Sequence, residues 1–224
     1  LDEKLQNITS LDEKLEQLEK EVSQKYQQML QKADALSQKR KSAKQPVEKQ
    51  LTEKLVYLGM PNAKFKCDIT EKNNPDITGK NTVNFLFSAN KNTALLPVSQ
   101  IASGGEISRL MLCLKSMITG ATAMPTVIFD EIDSGTSGEI ADKMGTIMRE
   151  MSRDMQVIAI THLPQIGAKG EVHYVVYKDD NEETTVTYMK KISSEERIEE
   201  IARMLSGEKT TAQAVENAKV MLGV

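Results

Sequence analysis

The chain has 224 residues, of which 39% are hydrophobic, 27% charged and 4% aromatic, and its net charge is −3 at pH 7. That length supports one core of about 150 residues plus an appendage, and no apolar run approaches the roughly 18 residues of a membrane span. Two cysteines, Cys67 and Cys113, are too few for a disulfide scaffold or a four-cysteine metal site, two histidines leave little room for a His-based metal centre, and the thiols read as buried and reduced.

The first element is a heptad helix. Leu1, Ile8, Leu15, Val22 and Met29 recur every seven residues, and Leu11 and Leu18 fall on the intervening core positions, which Lys4 and Lys25 interrupt. A seven-residue repeat among Glu, Lys and Gln predicts a coiled-coil arm over residues 1–45, roughly 65 Å long. No second heptad stretch of that length follows, so the partner helix is expected outside this chain. The pattern is already running at Leu1, as expected of a piece of a longer protein. Pro46 is expected to break or kink the arm, with Val47, Leu51, Leu55 and Leu58 forming a short helix that ends at Gly59. Lys39, Arg40, Lys41 and Lys44 belong to a local excess of seven basic residues over three acidic ones across 32–54. They form either a solvated helix face or a contact for a phosphate backbone.

Residues 46–224 read as an α/β body. Alternating strands are predicted over 63–70 and 82–88, separated by turn chemistry at Asn73, Asn74, Pro75, Asp76 and Gly79. A helix follows through Ile107, Leu110, Met111 and Leu114. The continuous apolar run Val127, Ile128, Phe129 ends at Asp130, and Val157, Ile158, Ala159, Ile160 ends at Thr161 and His162. Such runs predict parallel strands buried on both faces, with a helix over 140–151 between them. A hairpin is expected around Asp179, Asp180 and Asn181, then two short helices near 195–205 and 211–222. The expected fold is a largely parallel sheet flanked by helices, whose ligands sit beyond the C-terminal strand ends.

Three places carry chemistry. Ser103 and Glu106 are spaced as a capping box around Gly104 and Gly105, and the same helix start is equally a phosphate site. Asp130 and Glu131 end a buried strand, where Asp130 is suited to Mg²⁺ and Glu131 to polarising an attacking water, or both simply open a loop. His162 at the next strand end can hydrogen-bond a phosphate, whereas His173 reads as structural.

In order and spacing these segments resemble the signature, Walker B and switch-histidine motifs of ABC-type ATPase heads. More narrowly, residues 100–109, 129–138 and 161–166, with 84–90 and 201–205, resemble the RecN-like branch of the SMC-type ATPases, a family of DNA double-strand-break repair proteins. The resemblance implies the C-terminal lobe of an ATPase head plus the returning arm of a coiled coil. It implies that Ser103, Gly104, Gly105 and Glu106 face the γ-phosphate of ATP held by a second head, that Asp130 supports Mg²⁺, and that Glu131 and His162 are catalytic. Ser134, Gly135 and Ser137 would lie in the loop crossing the dimer interface, although Ser137 stands where most ABC ATPases carry aspartate.

The same resemblance implies ATP-driven closure of two heads and reopening on hydrolysis, a bacterial cytoplasmic, nucleoid-associated protein with no membrane association, and DNA as partner. A phosphate-cradling G-x-x-x-x-G-K-[ST] loop does not occur in the sequence. Gly207, Lys209 and Thr210 imitate it without its first glycine or a preceding strand. The cradle is therefore expected on the N-terminal half of the protein, and this chain alone is expected to be inactive. The alternative is a non-catalytic coiled-coil or DNA-tethering module with a degenerate head.

Overall fold

The computed structural model describes residues 2–101, 104–119, 124–180, 185–207 and 209–224. A single helix, α1 (Asp2–Tyr57), makes both the arm and its root. Its outer portion exposes Leu11, Leu15, Leu18, Val22, Tyr26 and Met29, an uncovered apolar stripe of the expected periodicity. Of the expected break or kink, the break does not occur: the helix continues through Pro46. Proline removes one backbone donor and crowds the preceding turn, but both flanks are held. Below Pro46, Leu51, Leu55 and Leu58 are fully buried in the main core. Around it, Glu48 accepts a hydrogen bond from the Cys67 backbone N–H (2.7 Å). Arm and body therefore share one element, with no structural boundary at 45/46. The helix ends at Gly59 (φ +77°) in a Schellman turn, Met60 N–H donating to Leu55 O and Gly59 N–H to Val56 O.

Strands β1 (Lys64–Asp76), β2 (Gly79–Ser88) and β3 (Leu96–Pro97) form an antiparallel sheet in that order. The turn lies at Ile77 and Thr78, between Asp76 and Gly79 of the predicted turn segment. Asp76 creates it by accepting from the Thr78 N–H (2.8 Å) and hydroxyl (2.6 Å), while Asn73, Asn74 and Pro75 fall in an irregular stretch of β1. The hairpin lies along α1, with ion pairs Lys80–Asp34 (2.6 Å) and Lys41–Glu71 (2.8 Å). Gly79 is needed there: a Cβ would stand 3.0 Å from Leu36 Cδ2 at a backbone φ of +91°.

Next come α2 (Gly104–Ile118), β4 (Thr126–Asp130), α3 (Gly138–Met151), β5 (Gln156–Ile160) and the short α4 (Pro164–Gly167). Strands β4 and β5 are parallel, as expected, but they form a two-stranded sheet among the described residues. Only one face is covered. Val127 and Phe129 enter the core with Met144, Ile147 and Met148 of α3, whereas Ile128, Ile158 and Ile160 are exposed (60%, 42% and 54%). The unbroken apolar run marks two apolar faces, and only one of them is packed among the described residues. The hairpin β6 (Tyr174–Asp180) and β7 (Thr185–Lys191) is antiparallel, and its expected turn at Asn181 lies outside the described residues. Helices α5 (Ser194–Ser206) and α6 (Ala212–Leu222) close a small second core around Ile201, Ala202 and Ala218. A complete capping box, Ser193 with Glu196, starts α5. No helix among the described residues is long and apolar enough to cross a membrane.

Two outcomes follow from this packing. Leu55→Ala deletes a fully buried side chain where arm meets core, and denaturant unfolding should register a loss of about 2–5 kcal/mol. Burial pushes the Cys113 thiol up to about 12 and also raises Cys67. Both remain protonated at pH 8, so neither should react with a thiol-specific disulfide reagent until the protein is unfolded.

Candidate functional site

The site is assembled by strand pairing. Asp130 of β4 sits opposite Ile160 of β5, and the Glu131 N–H extends the pairing by donating to Ile160 O (3.2 Å). The two acids and the Thr161–His162 pair thus leave adjacent strand ends side by side. Glu131 then turns the chain sharply with φ +47°, the only positive φ outside glycine among the described residues. That left-handed backbone costs a non-glycine residue of order 1 kcal/mol or more and is typical of functional turns. The turn is tied by Ser134 N–H to Glu131 O (3.2 Å), and by the Thr136 N–H (3.0 Å) and hydroxyl (2.7 Å) to Asp133 O. Asp130 and Glu131 are both exposed, and neither carboxylate has a salt-bridge partner among the described residues.

The glycine turn meets the same loop from the other side. Helix α2 begins at Gly104, and a Cβ on Gly105 would stand 2.9 Å from the Ser134 carbonyl oxygen and 3.8 Å from Gly135 Cα. Backbone therefore lies against backbone, an approach that only glycine permits. Gly135 itself has φ +73°. Arg109 locks the first turn of α2 to the arm root, Nε donating to Gly105 O (3.1 Å) and Nη1 to Leu58 O (3.2 Å). Glu106 lies in this first turn, half-buried. Ser103 and the expected capping box lie outside the described residues. Ser137 is the N-cap residue of α3, exposed, with no capping hydrogen bond from its side chain.

The histidine joins through a residue that sequence reasoning passed over. Asp133 is completely buried. The Thr161 hydroxyl donates to Asp133 Oδ2 and itself accepts from the Leu163 N–H (3.0 Å). His162 Nδ1 stands 3.6 Å from the same Asp133 oxygen, while the imidazole is 69% exposed. Gly104, Gly105, Ser134, Gly135, Asp130, Glu131 and His162 therefore form one contiguous rim. Asp133, Thr161 and Arg109 are its missed members. Each looks ordinary in sequence, a third acid in an acidic loop, a strand-end threonine and a helix arginine, because burial and long-range partners leave no local signal.

Other sequence candidates fall elsewhere. His173 is half-buried and its pKa is lowered, chiefly by burial and then by the Arg197 charge, against hydrogen bonds to the Gly167 and Gly170 backbone that raise it. That is a structural setting. Gly207 (φ +77°) ends helix α5, so the imitation phosphate loop follows a helix rather than a strand. In the basic cluster, Lys41 is paired with Glu71. Arg40 is half-buried, with Nη1 3.5 Å from where a Gly79 Cβ would lie. Lys39 remains exposed and Lys44 is half-buried. No group of three or more His, Cys, Asp or Glu among the described residues could hold a metal by itself.

No family model matches the chain. Among curated proteins it is 37% identical to the DNA repair protein RecN of Rickettsia typhi over 218 residues, 97% of this chain and 39% of that protein. It is 35% identical to RecN of Vibrio cholerae over 222 residues, covering 97% of this chain, and 35% identical to RecN of Deinococcus radiodurans over 205 residues, 92% of this chain. The chain belongs to the RecN family. It spans about two fifths of the length of these RecN relatives, and a match over 97% of the chain takes in arm and body together. In fold it is similar to the Smc head domain with a coiled coil and joint from Pyrococcus yayanosii, at 16% identity and a TM-score of 0.54 over 73% of this chain and 29% of that one.

The two glycines of this RecN-family turn should behave differently. Gly105→Ala drives a methyl group into the Ser134 carbonyl and should lower unfolding stability by about 1–3 kcal/mol. Gly104→Ala meets nothing within 4 Å and should cost no stability. Equal stability of the two variants would contradict the close approach.

Proposed function

We propose that this chain supplies the water-activating and head-clamping part of a RecN-like DNA-repair ATPase, with the triphosphate cradle on the N-terminal half of the same protein. The observation that carries this is the contiguous rim: the glycine turn, the paired acids and the imidazole converge at the C-terminal ends of two parallel strands, where α/β folds bind ligands. Neither exposed carboxylate of the Asp130–Glu131 pair has a salt-bridge partner among the described residues, so both are available to a ligand.

Asp130 fits a Mg²⁺–nucleotide as one ligand among phosphate and water oxygens, the mixed coordination Mg²⁺ prefers, and the described residues include no all-protein cage to hold the ion alone. Bound with ATP, Mg²⁺ would neutralise charge on the phosphates. Glu131 takes a proton from the attacking water as its oxygen bonds to the γ-phosphorus and the bond to the β–γ bridging oxygen breaks, leaving ADP and phosphate. His162 hydrogen-bonds the γ-phosphate and loses that partner when phosphate departs. The start of α2, with free N–H groups and the positive end of the helix dipole, meets the γ-phosphate held by a second head, so that ATP closes two heads and hydrolysis reopens them. Ser137, lacking the usual acid, contributes to that interface without a charge.

Surfaces for the remaining partners are present. The exposed stripe from Leu11 to Met29 suits an outgoing arm helix, and the uncovered face of Ile128, Ile158 and Ile160 suits the N-terminal half. DNA contact through the basic cluster falls mainly to Lys39 and Lys44, since Lys41 is paired with Glu71 and Arg40 is half-buried beside Gly79. The setting is the bacterial cytoplasm, at the nucleoid.

In the full-length protein, Glu131→Gln should retain ATP binding and lower turnover by about 10²–10⁴-fold, measured by phosphate release and equilibrium nucleotide binding. Unchanged turnover removes Glu131 from the role of base. The isolated chain should show no turnover until its N-terminal half is added.

A further inference from the structure

We propose that Asp133 is a positioning residue for His162, holding the imidazole by its Nδ1 edge so that Nε2 is the nitrogen presented to phosphate. A fully buried carboxylate is costly unless hydrogen bonds satisfy it. Asp133 is only partly satisfied within its pocket: Oδ2 accepts from the Thr161 hydroxyl, while Oδ1 is buried and meets no donor among the described residues. On the Oδ2 side stands a second group able to donate, His162, with Nδ1 3.6 Å from that oxygen. That separation is longer than a hydrogen bond, and a small movement of the exposed imidazole closes it.

The carboxylate is itself rigid. Its backbone oxygen is held twice by Thr136, and its side chain is anchored through Thr161 to the Leu163 N–H, residues that flank His162 on both sides. Asp133 thus ties the loop after the paired acids to the strand end that carries the histidine. A carboxylate on one ring nitrogen fixes the tautomer and orientation of an imidazole. With Nδ1–H directed at Asp133, the opposite nitrogen, Nε2, faces outward. The pairing of Asp133 with His162 needs no nucleotide, whereas its effect on catalysis rests on the ATPase function proposed above.

Two measurements separate these levels. The chain has only two histidines, so long-range ¹H–¹⁵N spectra of the imidazoles resolve His162 against His173 as an internal reference. In the unaltered chain His162 should carry its proton on Nδ1. Asp133→Asn should shift it towards the Nε2–H form of a free imidazole and leave His173 unmoved. If that variant does not fold, the unaltered spectrum decides by itself: a His162 in the free Nε2–H form overturns the proposal. So does a pattern that Asp133→Asn leaves unchanged. In the full-length protein, Asp133→Asn should lower kcat for ATP by about 10–100-fold, the usual size for such a supporting partner, with KM changing much less. A parallel rise in KM with kcat intact overturns the positioning role. Absence of turnover in the unaltered full-length protein would instead overturn the ATPase reading, leaving the spectroscopic result to judge the Asp133–His162 pair.

Discussion

The parallel pairing of β4 with β5 is the constraint on which the site depends. Side chains in a strand alternate at a period of two, so a one-residue slip reverses every face. In the observed register Val127 and Phe129 face the core, and Asp130 lies level with Ile160. The Glu131 N–H then adds one more bond beyond the strand end, which places two acids and a histidine from separate segments at one rim. A slip would bury Asp130 and expose Phe129, so core packing and site geometry are enforced by the same choice.

Around that register the chain invests its unusual backbone. Glu131 accepts a left-handed conformation, and the resulting turn delivers Asp133 inward, Ser134 and Gly135 towards α2, and Ser137 to the start of α3. Gly105 permits the α2 backbone to rest on this turn, and Arg109 joins that helix start to the last carbonyl of the arm root. Arm, glycine turn, acids and histidine are consecutive links through direct contacts. Such a chain of contacts is the physical requirement for coupling the state of a nucleotide to the position of a distant helix, although coupling itself is demonstrated only by perturbation.

Much of this was legible in the sequence because it is written in local pattern. The heptads located the exposed stripe of α1, Gly59 marked its end, and apolar runs stopping at Asp130 and Ile160 located the strand ends and therefore the rim. What depended on tertiary context was not legible. Pro46 reads as a break, yet Leu51, Leu55 and the Glu48–Cys67 bond keep the helix continuous. The runs in β4 and β5 imply two covered faces, but apolar composition does not say which chain covers them. Of the residues with turn chemistry, Asn73, Asn74 and Pro75 stay in β1, and the Asp76 carboxylate with Gly79 makes the turn. Asp133 carries no marker that distinguishes it from its exposed neighbours at 130 and 131, and its burial follows from the turn at Glu131.

The clasp between the β1–β2 hairpin and the arm has a mechanical meaning. Gly79 against Leu36 and the pairs Lys80–Asp34 and Lys41–Glu71 grip the described part of α1 near its middle. A rod clamped this way is a lever. A tilt of about 10° at the clasp moves a point about 30 residues further along the helix, roughly 45 Å away, through roughly 8 Å, so sub-ångström adjustments beside the arm root would be magnified into displacements approaching a helix diameter.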